Sequence, residues 1–356
     1  AITPFNFYSI GGNLPTAPAI VGNTSLWKPA RNVIYSNYKI MEVLMEAGLP
    51  DGVINFIPFS SKDADKVLKN ENLGGIHFTG SYNVLKTLKE QVNSNIDIYK
   101  NFPRIVGETG GKDFVFMHNS ANSENVANNL IRGSFGYQGQ KCSASSRAYI
   151  PKSKWKKLKK SMKQKIQQIK IGSTSNLNNY MGAVIDQSAY QKITDYIKYA
   201  AKDEANEIVM GGNYSDEEGW FIEPTVVKTD DSKSKLMEEE IFGPVLTIYV
   251  YEDSKFEETL ELCDETSPYG LTGSIFAKDR YTIQKAEEKL RYSAGNFYIN
   301  DKPTAAEVNR QPFGGARKSG TNDKAGSWLN LIRWLSPRVI KEQNKKTNTW
   351  KRAFQK

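Results

Sequence analysis

Cysteine and histidine are scarce in this chain of 356 residues. The only cysteines are Cys142 and Cys263, and the only histidines, His77 and His118, lie far apart in the sequence. Two cysteines cannot build a disulfide framework, so a reducing compartment is the better expectation. Because the histidines and cysteines show no ligand-like spacing, we predict no zinc site and no other metal centre.

Long apolar runs are absent as well. No stretch of about 18 consecutive apolar residues occurs, so no membrane-spanning helix is predicted. The first residues, 1–5, contain no charged leader, no apolar signal region and no initiating Met, which predicts a segment of a longer polypeptide. A composition with 39% hydrophobic and 24% charged residues is typical of a soluble globular protein with one large domain or two ordinary ones.

The formal net charge is +9, and much of it lies in one segment. Nine lysines, without any arginine or acidic residue, occur between residues 151 and 170, where apolar residues recur at steps of three and four. This pattern predicts an amphipathic helix with a lysine-rich outer face. Such a face can bind nucleic acid or a membrane surface, but it is more often only solvated, and no aromatic residues are interleaved on the basic face to stack bases. We therefore expect no nucleic-acid partner and no membrane partner.

Short apolar runs alternate with helical patterns along the chain. Strands are predicted at 24–28, 52–57, 75–79, 104–106, 113–116, 148–150, 221–223, 245–250 and 273–276. Helices are predicted at 33–47, 61–69 and 123–137, and from near residue 81. This alternation predicts βαβ units, a parallel doubly wound sheet and an α/β fold with two lobes that meet near residue 118.

Cys142 is the strongest candidate for chemistry. A single cysteine is usually a small buried hydrophobe, and Cys263, within an apolar helical pattern, fits that description better. Cys142 instead follows Gly139, Gln140 and Lys141 and precedes Ser143. This polar setting favours a reactive thiol, and a neighbouring lysine lowers a thiol pKa when the two side chains approach.

Four other motifs carry weaker signals when each is taken alone. Residues 107–112 form a glycine-rich turn in which Glu108 has the chemistry of a general base, although such a turn is often only a turn. Residues 78–81 place Gly and Ser between a strand and a helix, where free N–H groups suit a pyrophosphate, although no G-x-G-x-x-G fingerprint is present. Residues 4–7 set Asn6 among aromatic residues, either as an oxyanion donor or as a turn residue. Residues 239–244 lead from acidic residues into an apolar turn.

Together the five motifs resemble the aldehyde dehydrogenase superfamily in order and approximate spacing, over essentially the whole chain. Segments 47–53 and 312–315 agree with it. Within the superfamily, the chain is most similar to the mitochondrial delta-1-pyrroline-5-carboxylate dehydrogenase type, which oxidises glutamate semialdehyde. The narrower resemblance rests on residues 1–18, 102–104, 139–144, 315–324 and 333–337.

This resemblance implies roles for individual residues. The catalytic set is Cys142 as nucleophile, Glu108 as the base that activates water, and Asn6 as oxyanion donor with the backbone N–H of Cys142. The implied cofactor is NAD, and the residues expected to contact it are Thr3, Lys28, Ser81, Glu240 and Phe242. The residues expected near the substrate carboxylate are Ser143, Ala305 and Ala306.

The resemblance also implies a domain organisation. A cofactor-binding domain would occupy residues 1–117 and would lack the N-terminal part of the family fold. A catalytic domain would follow at 118–318, and residues 319–356 would form a C-terminal segment with an oligomerisation tail. A homo-oligomer in the mitochondrial matrix is expected on the same basis.

Two further departures from the family pattern bear on specificity. Arg31 stands where relatives carry an acidic residue, and its guanidinium suits a 2′-phosphate, which keeps NADP open as the cofactor. Ala305 and Ala306 replace a Gly-Ser pair and remove one hydroxyl donor, and Glu307 adds a carboxylate that repels an anionic substrate. A dehydrogenase of another semialdehyde, and a catalytically silent truncated relative acting as an interaction module, therefore remain alternatives.

Overall fold

A computed structural model describes residues 1–355 and confirms an α/β architecture with parallel sheets. The first part of the chain alternates short strands and helices. Its strands are β1 (Ser25–Trp27), β2 (Ile54–Phe56), β3 (Gly75–Thr79) and β4 (Arg104–Glu108). Its helices are α1 (Tyr8–Ile20), α2 (Ile34–Glu46), α3 (Ala64–Leu68) and α4 (Tyr82–Ser94).

The first three residues join two strand pairs into one parallel sheet. Strand β1 pairs with β2 and β3 pairs with β4, both in parallel. Ile2 forms parallel bridges to Lys28, which follows β1, and to Phe78 in β3. Its N–H donates to the carbonyl of His77 at 2.8 Å, and the Thr3 N–H donates to the carbonyl of Lys28 at 3.1 Å. Residues 1–3 therefore act as a central strand, although they were not predicted as one.

The rest of the chain builds a larger sheet and its covering helices. Its strands are β5 (Asp113–Met117), β6 (Ser145–Pro151), β7 (Asn206–Met210), β8 (Tyr214–Ser215), β9 (Phe221–Ile222), β10 (Thr225–Thr229), β11 (Val245–Tyr251), β12 (Tyr269–Gly270), β13 (Thr272–Phe276), β14 (Asn296–Ile299) and β15 (Ala316–Arg317). Its helices are α5 (Ser123–Phe135), α6 (Lys152–Ile166), α7 (Gln187–Lys202), α8 (Lys235–Glu238), α9 (Phe256–Glu265), α10 (Arg280–Lys289) and α11 (Trp328–Ile332). Seven strands form the sheet in the order β14-β13-β5-β6-β11-β10-β7.

Strand β5 lies at the centre of the core because every one of its residues is buried. Val115 packs with α5 and α6 in one apolar cluster, and Phe116 packs with α9 and α10 in another. Parallel strands covered on both faces are expected to be continuously apolar, as residues 114–117 are. Only β7 runs antiparallel, at the edge of the sheet.

Sequence patterns located most elements but missed some boundaries. The helix predicted at 123–137 ends at Phe135, because Tyr137 and Gln138 adopt left-handed backbone angles with φ of 58° and 57°. The strand predicted at 104–106 continues to Glu108. The strands β7, β10 and β14 were not predicted. Their residues lack the strict apolar alternation that identifies a strand from sequence.

The lysine-rich helix α6 is amphipathic, as predicted. Leu158 and Met162 are fully buried in the apolar cluster beneath it. Three lysines form ion pairs with neighbouring elements: Lys152 with Glu252 at 2.5 Å, Lys159 with Glu207 at 3.2 Å and Lys165 with Glu124 at 2.6 Å. The exposed ion pairs and the apolar inner face are typical of a surface helix whose outer face is solvated.

The C-terminal segment returns to the first sheet. The Trp334 ring packs against the His77 ring with centroids 4.9 Å apart. Arg104 Nη1 donates to the carbonyls of Ile332 and Arg333, at 3.2 and 2.6 Å. From residue 337 to 355 the chain is exposed and forms no helix or strand. No helix within the described residues is long and apolar enough to cross a membrane.

Candidate active site

The site lies where the carboxyl edge of the first sheet meets the amino edge of the second. Strand β4 ends at Glu108, and β5 begins five residues later at Asp113. Cys142 precedes β6, and Glu240 precedes β11. Ligands of α/β proteins bind at the carboxyl ends of parallel strands. The crossing between the sheets therefore brings together residues that are distant in the sequence.

Cys142 lies in a turn in which the Ala144 N–H donates to the Lys141 carbonyl at 3.2 Å. The residue is partly exposed, but its thiol group is buried. Desolvation raises the pKa of the Cys142 thiol, and the carboxyl groups of Asp113, Glu108 and Glu240 raise it further. Lys141 interacts electrostatically with the thiol, but burial and the three carboxyl groups outweigh the lowering that a neighbouring lysine causes.

Asn6 contacts the loop that carries Cys142, residues 139–143, here called the nucleophile loop after the role expected for Cys142. Its Nδ2 donates to the carbonyl of Gln140 at 3.0 Å, and both residues are buried. Since an amide nitrogen carries two hydrogens, the second remains available for an oxyanion. The Phe5 and Phe242 rings pack edge to face with centroids 6.0 Å apart. The structure thus unites the motifs at residues 4–7, 139–143 and 239–244.

Glu108 is the last residue of β4, and its carboxylate is turned toward the Gly314–Gly315 backbone. A Cβ on Gly314 would lie 2.8 Å from Glu108 Oε1. Oε2 is buried and has no hydrogen-bond partner among residues 1–355. Desolvation raises the pKa of Glu108 well above its usual range, although the Gly315 amide and Lys324 oppose the shift. A carboxyl group with a raised pKa and an uncommitted oxygen has the properties of a general base.

Glu240 lies against the glycine turn between the two sheets. Its Oε1 accepts a hydrogen bond from the Gly111 N–H at 3.1 Å, and its carbonyl accepts one from Lys192 Nζ at 2.8 Å. A Cβ on Gly110 would overlap the Glu240 carboxylate, so only glycine allows this approach. Burial raises the pKa of Glu240.

The residues expected to contact a dinucleotide lie along the carboxyl edge of the first sheet. Thr3 is buried, and its Oγ1 accepts a hydrogen bond from Trp27 Nε1 at 3.0 Å. Lys28 follows β1, stands 5.8 Å from the centre of the Phe59 ring, and has a pKa lowered by burial. Ser81 caps α4, accepting a hydrogen bond from the Val84 N–H at 3.4 Å.

These residues fit a dinucleotide. The amino terminus of a thirteen-residue helix presents free N–H groups that suit a pyrophosphate. Lys28 supplies a half-buried cation at the same edge. Arg31 begins a short 3-10 turn after Lys28 and is exposed. The fit to a dinucleotide depends on three features together: the carboxyl edge of the first sheet, the start of α4 and Lys28.

The residues expected near a substrate carboxylate lie in two loops. Ser143 is buried next to Cys142, while Ala305 and Ala306 are partly buried in the loop after β14. Glu307, the added carboxylate of that loop, is exposed and pairs with Arg310 at 3.1 Å. This ion pair partly neutralises the repulsion that Glu307 would exert on an anionic substrate.

Sequence reasoning missed two buried charged residues at the site. Lys112 is fully buried, its Nζ lacks a hydrogen-bond partner among the described residues, and burial lowers its pKa to about 7. Asp113 is also buried, with a pKa raised to about 8 by desolvation. The sequence signal that could have identified them is the pair of adjacent charged residues where the apolar strand β5 begins. No group of three or more His, Cys, Asp and Glu residues within residues 1–355 is arranged to hold a metal ion.

Known proteins resemble this chain along nearly its whole length. Delta-1-pyrroline-5-carboxylate dehydrogenase, mitochondrial, of Dictyostelium discoideum is 54% identical over 345 residues, which are 96% of this chain and 62% of that protein. The human enzyme of the same name is 46% identical over 356 residues, covering 99% of this chain and 63% of that protein. This chain therefore spans slightly less than two thirds of these relatives.

Solved structures agree with the fold. The delta-pyrroline-5-carboxylate dehydrogenase of Mycobacterium tuberculosis bound with NAD superposes with a TM-score of 0.93 and 48% identity, covering 99% of this chain and 65% of that one. A model described as the aldehyde dehydrogenase family matches residues 1–334. On this match, the chain belongs to the aldehyde dehydrogenase family.

Proposed function

We propose that this chain provides the catalytic machinery for oxidation of L-glutamate γ-semialdehyde, formed from delta-1-pyrroline-5-carboxylate, to L-glutamate with NAD in proline catabolism. The observation that carries the proposal is the proximity of Cys142, Asn6, Glu108 and Glu240, which come from four distant segments. The names of the Dictyostelium and human relatives support the choice of substrate.

The first step is attack of the Cys142 thiolate on the aldehyde carbon, which forms a carbon–sulfur bond and places negative charge on the former carbonyl oxygen. The Asn6 Nδ2 and the Cys142 N–H stabilise that oxygen as its charge develops. The thiol must first release its proton, and burial opposes this release. The Ser143 amide favours the thiolate and partly offsets that opposition.

A bound NAD would supply the hydride acceptor for oxidation of the carbon attached to Cys142, and this oxidation converts the adduct to a thioester. Thr3, Lys28 and Ser81 would hold NAD along the strand edge. Glu240 and Phe242 would hold the nicotinamide ribose end, close to the nucleophile. The contact between Gly111 and Glu240 supports this arrangement, because it fixes the carboxylate beside the nucleophile loop.

Glu108 then removes a proton from water, the hydroxide attacks the thioester carbon, and the carbon–sulfur bond breaks to release glutamate and the Cys142 thiolate. The free Glu108 Oε2 and the raised pKa of this carboxyl group support the role. Ser143, with the backbone around Ala305 and Ala306, would bind the substrate carboxylate.

Two alternatives follow from particular residues. The exposed Arg31 suits the 2′-phosphate of NADP. The loss of a hydroxyl at Ala305–Ala306 suits a different semialdehyde. A silent relative that acts as an interaction module is less well supported, since such a protein has no need for a buried base beside an intact nucleophile loop.

The wider assignments rest on the relatives. We infer a mitochondrial location, and specifically the matrix, from the mitochondrial names of the Dictyostelium and human proteins. We also infer a homo-oligomer that uses the exposed tail of the segment 319–356, without a nucleic-acid or membrane partner. The proposed domains are 1–117 for the cofactor and 118–318 for catalysis.

The test is an absorbance assay for NADH formation with glutamate semialdehyde. Cys142→Ala is expected to abolish NADH formation, with Cys263→Ala as the matched control because Cys263 is a fully buried core residue. Activity that survives Cys142→Ala would refute the nucleophile assignment. If neither the native chain nor Cys142→Ala forms NADH above the buffer baseline, the catalytically silent alternative is favoured.

A further inference from the structure

We propose that Asp113 is a positioning residue for Cys142: its buried carboxyl group supports the nucleophile loop in the uncharged form, and its ionisation at alkaline pH opposes thiolate formation. The inference rests on Cys142 as the proposed nucleophile, but not on the identity of the aldehyde or the cofactor. Asp113 touches no substrate in this account and acts through the thiol.

The position of Asp113 is fixed by the fold. It is the first residue of β5, only 2% of its surface is exposed, and its Oδ1 accepts a hydrogen bond from the Thr272 N–H at 2.6 Å. This bond ties Asp113 to the start of the adjacent strand β13. The carboxyl group therefore cannot turn outward to water.

The second carboxyl oxygen is turned toward the nucleophile loop. A Cβ on Gly111 would overlap Asp113 Oδ2 and would lie 2.6 Å from the carbonyl oxygen of Cys142. Asp113 Oδ2 and the Cys142 carbonyl oxygen therefore approach the same side of Gly111. Oδ2 accepts no hydrogen bond within the described part of the chain. A protonated Oδ2 has a donor to offer in this region, whereas an ionised one adds only repulsion between oxygens.

No cation neutralises Asp113 directly. Among residues 1–355 no Lys or Arg nitrogen lies within 4.0 Å of its carboxylate oxygens, the distance that defines an ion pair. The charged and titratable groups that face it are Arg147 on β6, Glu240 before β11, Tyr298 on β14, the adjacent Lys112 and the Cys142 thiol.

Arg147 is the cation whose charge lowers the pKa of Asp113, but its guanidinium donates its hydrogen bonds to other groups. Nε donates to the Lys112 carbonyl at 2.8 Å, and Nη1 donates to Tyr149 OH at 3.0 Å and to the Cys263 carbonyl at 3.1 Å. Because burial without a close cation disfavours a carboxylate, desolvation raises the pKa of Asp113 to about 8.

Ionisation of Asp113 disfavours the thiolate form of Cys142. Asp113 is mainly protonated at pH 7 and mainly ionised at pH 9, given its pKa of about 8. After desolvation, the negative charge of Asp113 is the largest cause that raises the pKa of Cys142. Ionisation of Asp113 therefore makes thiolate formation harder as pH rises, and it broadens the titration of Cys142.

The test measures the rate at which iodoacetamide alkylates Cys142 in the full chain between pH 6 and 10, without aldehyde or cofactor. Mass spectrometry of the Cys142 peptide separates this thiol from the fully buried Cys263. Asp113→Asn removes the charge and keeps the shape. It is expected to raise the rate at pH 9 roughly tenfold and to sharpen the profile into a single titration.

Asp230→Asn is the matched control, because Asp230 is exposed and pairs with Lys228. It is expected to match the native profile. A profile of Asp113→Asn that coincides with the native one would overturn the proposal. If Asp113→Asn does not fold, the native profile decides: flattening above about pH 8 supports the proposal, and one unbroken titration overturns it.

The result separates this inference from the proposed function. A shifted alkylation profile in a protein that forms no NADH from glutamate semialdehyde would leave the role of Asp113 standing and count against the proposed substrate. NADH formation with an unshifted alkylation profile would support the proposed substrate and overturn the role of Asp113.

Discussion

Replacement of Asn6 by alanine tests the oxyanion assignment most directly, because this residue has two separable roles in the structure. Its Nδ2 donates to the buried Gln140 carbonyl at 3.0 Å and leaves one hydrogen for the reacting oxygen. Loss of one oxyanion donor lowers kcat by roughly 100- to 1,000-fold. Loss of the donor to Gln140 costs about 1–3 kcal/mol of folding free energy. For a chain of this size that lowers Tm by about 1–4 °C.

The two effects are measured separately, kcat from NADH absorbance and Tm from thermal unfolding. Asn330→Ala is the matched control, since Asn330 is a buried amide whose Oδ1 accepts from Trp334 Nε1 at 3.3 Å, on the far side of the first sheet. It is expected to lower Tm and to preserve kcat. A variant Asn6→Ala that loses stability like Asn330→Ala but keeps kcat within about threefold of the native value would refute the oxyanion role.

Two further predictions concern the base and the cofactor. Glu108→Gln is expected to keep a rapid first burst of NADH and to slow steady turnover by roughly 100- to 10,000-fold, since only thioester hydrolysis needs the base. Only ionised Glu108 is a base and burial raises its pKa, so native turnover falls as pH drops through that raised value. Stopped-flow traces without a burst would contradict this account. Arg31→Asp is expected to raise the ratio of kcat/KM for NAD over NADP by roughly 10- to 150-fold, if the guanidinium binds a 2′-phosphate. An unchanged ratio would exclude Arg31 from cofactor choice.

Much of the fold was predictable because its signals are local. The alternation of apolar runs and helical patterns predicted β3, β5 and β11 close to their observed bounds, since their apolar residues are adjacent or one residue apart in the sequence. Strand β14 was missed because its residues do not alternate between apolar and polar, and it lies at the edge of the sheet, where its residues are partly buried or exposed. The central role of residues 1–3 was missed because it arises from bridges to residues 28 and 78.

The sequence by itself identified the candidates for chemistry: a cysteine in a polar, glycine-flanked segment, an acid in a glycine turn and an asparagine among aromatic residues. Only the tertiary structure decided their electrostatics. Sequence proximity to Lys141 favoured a lowered thiol pKa only if the two side chains approach, whereas burial and the charges of Asp113, Glu108 and Glu240 raise the pKa. A pKa depends on desolvation and on charges that are near in space. For Cys142 those charges come from segments more than twenty residues away in the sequence.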